Sequence, residues 1–138
     1  MNRIRIIRNA LHFRRRKGAA TVEFALCAPI FFLFVFAGIE LSRANMLIHT
    51  VESAALQGAR RGIVSGATAA QCTQASQNVL NVASVRNSTI TITPSTITET
   101  TTKITVKVTV PLDNNLYCAP KFFGGKTIER TMAINREF

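Results

Sequence analysis

Glu23 is the one charged side chain in the twenty-one residues from Ala19 to Ile39, AATVEFALCAPIFFLFVFAGI, where Thr21 is the other clearly polar group. An unpaired carboxylate in such a run is costly. It needs either a cation desolvated with it or a place near an interface from which it can snorkel into water. Other chemistry-bearing groups are few and scattered. His12 and His49 are the two histidines, and Asp113 is the lone aspartate, in the turn-like Asp113-Asn114-Asn115. No carboxylate pair, phosphate-cradling glycine loop or nucleophile beside a base can be drawn from them, and no C-x-x-C suggests zinc or redox catalysis. The expectation is a protein that is not an enzyme, with no cofactor, metal or small-molecule substrate.

The element that positions Glu23 is legible from length and charge. At 1.5 Å per residue, Ala19–Ile39 as a helix measures about 31 Å, close to the ~30 Å hydrocarbon core of a bilayer. Five of the nine phenylalanines lie in it: Phe24, Phe31, Phe32, Phe34 and Phe36. A chain of 138 residues holds one small domain, too little to cover a helix apolar on every side. Pro29 is expected to kink or loosen this helix, which membrane spans tolerate. The formal charge of +10 divides unevenly, because residues 1–18 carry seven basic groups and no acid while the rest carries ten basic and seven acidic groups. Seven basic residues before the run and Arg43 alone in the twenty after it place the amino terminus in the cytoplasm and the rest outside. Arg14, Arg15, Arg16 and Lys17 are thus read as a topology signal. The basic start is short, with Phe13 its one aromatic, and topology accounts for it without a nucleic-acid partner.

Around this junction three features coincide: a basic leader ending at Gly18, the sequence Lys17-Gly18-Ala19, and an acid at the fifth position after that glycine. The stretch RRRKGAATVEFALCAPIFFLFVFAGIELSRA, followed by ESAALQGARRG, resembles the signal of type IV prepilins, and most closely the TadE-like pseudopilins of tight-adherence (Flp) pilus systems, over residues 14 to about 62. The resemblance implies a prepilin peptidase that cuts after Gly18 and leaves Ala19 as the new amino terminus. It implies that Glu23, with Phe24 beside it, pairs with the amino terminus of a neighbouring subunit during assembly. Its partners would be the inner membrane, the prepilin peptidase, other pilin or pseudopilin subunits and the assembly platform. Major Flp pilins tend to be very short, with tyrosine after the glutamate; Phe24 and a long carboxy-terminal region favour a minor pseudopilin or assembly factor.

Beyond the run, Leu47, Ile48, Val51, Ala55 and Ala59 recur at helical spacing, so the helix is expected to continue to about residue 66 as a stalk. Ala54, Gly58, Gly62 and Gly66 form a smooth stripe suited to close packing, against this chain or another. Arg60 and Arg61 read as a solvated face. Residues 69–85 read as a short amphipathic helix with Cys72, Ala75, Val79 and Val82 or Ala83 on its apolar side. Ile90 and Ile92, then Ile104, Val106, Val108 and Val110, alternate with polar residues as strands, and a last strand is expected at 127–134. Pro94 suggests an edge or a bulge. Cys72 and Cys118 both fall outside the membrane, where a disulfide closing that loop would stabilise the head by about 4 kcal/mol. Cys27 reads as a small apolar residue of the span.

The expected fold is α+β: a long amino-terminal transmembrane and stalk helix, a short helix and an antiparallel sheet of about three strands. The expected divisions are a cleaved leader (1–18), a transmembrane helix (19–39), a stalk (40–66) and an exported head (67–138) in the periplasm. Two other readings use the same residues. One is an uncleaved, single-span periplasmic adapter; the other is a secreted protein cut after Ala37, where Val35-Phe36-Ala37 meets the small-residue rule of conventional signal peptidase.

Overall fold

A computed structural model describes residues 3–117 and 125–136, with side chains described from Gly18 onward. Its elements are α1 (Arg3–Ile63), α2 (Ala69–Val82), β1 (Thr89–Thr93), β2 (Lys103–Pro111) and β3 (Thr127–Asn135). The chain is an α+β protein with a three-stranded antiparallel sheet in the order β1-β2-β3. It divides into two compact units, Met1–Ile39 and Glu40–Phe138.

In the first unit α1 passes Pro29 without a break in its helical assignment. Proline removes one ladder hydrogen bond, and the long flanking helical runs hold the rest in place. The apolar side chains here stand clear of the chain's own core. Val22, Phe24, Leu26, Phe31 and Phe34 are each at least 60% exposed, so these side chains find no cover among the described residues. Phe31 and Phe32 meet edge to face, with ring centroids 5.8 Å apart.

In the second unit α1 supplies one wall of the core. Leu47, Val51, Ala54, Ala55 and Ala59 are fully buried, with Ile48 partly so. Facing them, β2 buries Ile104, Val106, Val108 and Val110, the alternate residues that its period of two assigns to one face. Ile90 and Ile92 of β1 pair with Val108 and Val106, and Ile128, Met132 and Ile134 of β3 pair with Val110, Val106 and Ile104. On the opposite face stand Thr89, Thr91, Thr93, Thr105, Thr109 and Thr131, with an ion pair of 2.7 Å between Lys107 and Glu129. Both partners of that pair are near half exposed, so it adds little to stability. Pro94 follows the end of β1, an edge strand, which agrees with the edge reading.

Two expectations for α2 need correction. The helix ends at Val82, not Val85, because Ser84 takes a left-handed φ of 53° and the Val85 N–H turns back to the Leu80 carbonyl at 3.0 Å. This is the closure usually built on glycine, here made by serine, so composition gave no stop signal. Its fully buried residues are Cys72, Ser76 and Leu80; Val79 and Ala83 of the expected apolar side pack partly buried against the core, whereas Val82 is 89% exposed. A serine at a core position shifted the apparent apolar stripe by part of a turn. At its start, the Thr68 hydroxyl accepts the Gln71 N–H at 3.3 Å, a cap worth about 1 kcal/mol.

Ser76 sits in the core because glycine faces it. A Cβ at Gly58 would collide with Ser76 Oγ and approach the Cys72 carbonyl oxygen to 3.1 Å; one at Gly62 would lie 2.7 Å from Ile104 Cδ1. The smooth stripe of α1 therefore abuts this chain's own α2 and β2. Gly66 differs: it follows the helix with φ 75° and has open space where its Cβ would be.

Gly58→Ala is expected to destabilise the head by roughly 1–3 kcal/mol through overpacking, despite alanine's better helix propensity. Ser76 Oγ has no hydrogen-bond partner among the described residues, so Ser76→Ala should be close to neutral and should restore much of the loss in the double variant. Urea unfolding of the full chain in detergent, followed through this four-protein cycle, measures the coupling; additive effects would refute the contact.

Candidate functional site

The sequence-predicted junction lies on the helical backbone of α1. Gly18 and Ala19 are exposed, and a Cβ at Gly18 would meet nothing within 4 Å. Folding of the described chain therefore places no demand on glycine there, in contrast to Gly58 and Gly62. Glycine does weaken the helix locally, by about 1 kcal/mol relative to alanine, which eases the unwinding that any backbone cleavage requires.

Glu23 and Phe24 are exposed, Phe24 at 72%. Helical spacing sets Glu23 above Ala19 and Ala20 on one side and below Leu26 and Cys27 on the other, so its immediate helical neighbours offer no cation. Ala19 stands at i−4. An α-ammonium created there would lie about 6 Å along the axis from the Glu23 position, roughly one helical turn away. The side chains of Arg14, Arg15, Arg16 and Lys17 lie outside the described residues; their backbone belongs to α1.

The helix carrying these residues is long and apolar enough to cross a membrane, and none of its most apolar stretch is buried within the chain. It fits a single-span membrane protein. Among the described residues no group of three His, Cys, Asp or Glu side chains is placed to hold a metal ion.

Sequence reasoning missed a polar clasp in the second unit. Asn115 is 4% exposed. Its side-chain NH2 donates to the carbonyls of Arg86 and Pro111 at 2.9 and 2.8 Å, and its side-chain oxygen accepts the Arg86 N–H at 2.8 Å. Arg43 adds to the same place. Its Nε donates to the Asn115 carbonyl at 3.2 Å, its Nη2 donates to the Ala83 carbonyl at 3.3 Å, and its guanidinium lies 5.5 Å from the centre of the Tyr117 ring. Both oxygens of Asp113 accept the Gly125 N–H at 3.1 Å. The Asp-Asn-Asn triplet marked the turn; nothing in it disclosed that Asn115 would tie the end of α2 to the end of β2.

Ala54, Gly58 and Gly62 lie on the buried face of α1. Arg60 and Arg61 are exposed, and Arg61 Nη2 donates to Gln71 Oε1 at 3.2 Å. Cys27 is exposed on the span. Cys72 is fully buried, with its Sγ 3.2 Å from where a Cβ at Gly62 would stand. Cys118, its expected disulfide partner, lies outside the described residues.

Burial pushes the Cys72 thiol above its ordinary pKa, partly offset by Arg61. Since the thiolate is the reacting form, the pH–rate curve for iodoacetamide should be displaced to higher pH in the folded, reduced protein and return to the ordinary thiol range in denaturant. Labelling that requires reductant first would report the bridge to Cys118; a folded-state curve at the ordinary thiol position would contradict the burial.

No curated protein and no solved structure matches this chain. A family model does: the one described as TadE-like protein matches residues 18–60, so the segment that begins at the candidate junction and carries Glu23 and the apolar helix is similar to that family, in agreement with the resemblance noted in its sequence.

Proposed function

We propose that this chain is a minor pseudopilin, or pilus assembly component, of a tight-adherence (Flp) type IV pilus. The match of residues 18–60 to the TadE-like family carries the reading and supports a Tad pilus-associated component. In the proposal, seven leader cations hold the amino terminus in the cytoplasm, α1 crosses the inner membrane once, and the α+β head lies in the periplasm. A prepilin peptidase cuts after Gly18. The new ammonium of Ala19 and the carboxylate of Glu23 on a neighbouring subunit then offset one another's desolvation, which draws the amino-terminal helices together. The head acts by contact, as TadE-like pilus components are structural, and no chemistry is assigned to it.

Mass spectrometry of the chain co-expressed with its cognate prepilin peptidase tests the processing step. The expected mature terminus is Ala19; Gly38 would identify the secreted alternative and an intact chain the uncleaved adapter. Gly18→Ala is the sharp control, because the structure gives this glycine no packing role. It should leave the head intact, strengthen the helix by about 1 kcal/mol and abolish cleavage. Unchanged processing would remove the pilin-type assignment.

Glu23→Ala should be clipped normally yet fail in assembly, read as loss of surface pili or of co-purifying pilin subunits. A local ion pair desolvated in lipid leaves one buried charge when its partner is deleted, a cost of roughly 3–5 kcal/mol. Wild-type piliation by this variant would refute the pairing role.

A further inference from the structure

We propose that the end of the head built around Arg43 and Tyr117 rests on an anionic phospholipid surface. The inference deepens the function proposed above, since it depends on Ala19–Ile39 being a membrane span. Arg43 is four residues beyond Ile39, so chain connectivity alone keeps it within about 14 Å of the end of the apolar run, whatever the conformation between them. The headgroup layer on each side of the hydrocarbon core is roughly 5–8 Å thick. Arg43 is tied to the carbonyls of Ala83 and Asn115 and stacked on Tyr117. Those groups are therefore held at or just above the headgroups.

The chemistry exposed there suits that setting. Tyr117 is 69% exposed and Val82, next to the Ala83 carbonyl, 89% exposed. Tyrosine, with an apolar ring and a polar tip, is enriched at membrane–water interfaces. Arg86, whose backbone is gripped on both sides by Asn115, is exposed. Two carboxylates belong to this end of the head: Glu40, one helical turn before Arg43, is buried, and Asp113 has both oxygens turned to the Gly125 N–H, which leaves Arg86 as an exposed cation beside Tyr117 and Arg43. Near an anionic leaflet each basic group adds roughly a fivefold preference for the surface. A protein partner in the same place would have to displace the headgroups that the tether brings near.

The test uses an accident of composition: Tyr117 is the single tyrosine and there is no tryptophan, so the near-ultraviolet emission of the full chain reports this residue. The chain is reconstituted in vesicles of phosphatidylcholine with or without phosphatidylglycerol, carrying a nitroxide on a fraction of the headgroups. In anionic vesicles the nitroxide should quench the emission by about twofold or more, as expected of an interfacial tyrosine. Arg86→Glu should weaken that quenching in anionic vesicles while leaving the circular dichroism and the signal in pure phosphatidylcholine unchanged. Equal quenching of wild type and variant overturns the anionic-lipid contact. So does a Tyr117 quenched only by aqueous acrylamide, or one shielded from both quenchers, as a neighbouring subunit would produce. Flotation with the vesicles reads the span separately. A chain that floats with Tyr117 unquenched loses only this proposal; a chain that does not float loses the span and the proposal together.

Discussion

Helix α1 comes so close to α2 and β2 that positions 58 and 62 have no room for a Cβ. That closeness sets the rest of the head. It brings Ser76 into the core, places Cys72 beside Gly62, and lets four alternate residues of β2 be fully buried in a small domain. The space a Cβ would need is taken at position 58 by the Ser76 hydroxyl and the Cys72 carbonyl, and at position 62 by the Ile104 and Cys72 side chains. Two glycines in a helix cost roughly 2 kcal/mol in propensity, which the contacts made by close approach must exceed.

The two units answer to different solvents. Between Leu47 and Ala59 the apolar residues of α1 are buried or half-buried in the core that the sheet and α2 complete, while Leu41 and Met46 before them stay exposed. In the first unit the apolar residues fall on all faces and stand exposed among the described residues. One helix thus carries two hydrophobic patterns, a stripe and a cylinder, and the change between them occurs near the end of the apolar run. The charge follows the same division. Of the formal +10, seven charges precede Ala19, and a chain starting at Ala19 keeps +3 by side chains, too little to argue for a nucleic-acid partner.

Much of this was readable before any coordinates. Strict alternation in Ile104–Val110 and helical spacing in Leu47–Ala59 named the two main walls of the core, because each burial pattern follows directly from backbone period. The proposed junction at Gly18 and the acid at Glu23 rest on residue types and spacing in one linear segment. What stayed hidden needed a third dimension. Ser76 reads as a surface residue until Gly58 is seen opposite it, and Ser84 gives no warning that it will close a helix with a positive φ. Asn115 satisfies backbone groups 4 and 29 residues away, which no local pattern encodes.

The wall that α1 offers at Gly58 and Gly62 is matched by Val106 and Ile104, more than forty residues later in the chain. A polypeptide passing outward through a membrane, amino-terminal helix first, would therefore present the stripe of α1 well before β2 arrives to cover it. The strands themselves pair only with their neighbours in sequence, so the sheet can form as a local meander once emergence is complete. Under the proposed topology the order of folding is thus set by translocation: the helix that organises the head waits longest for its partner, with its apolar face open to whatever chaperone or subunit reaches it first.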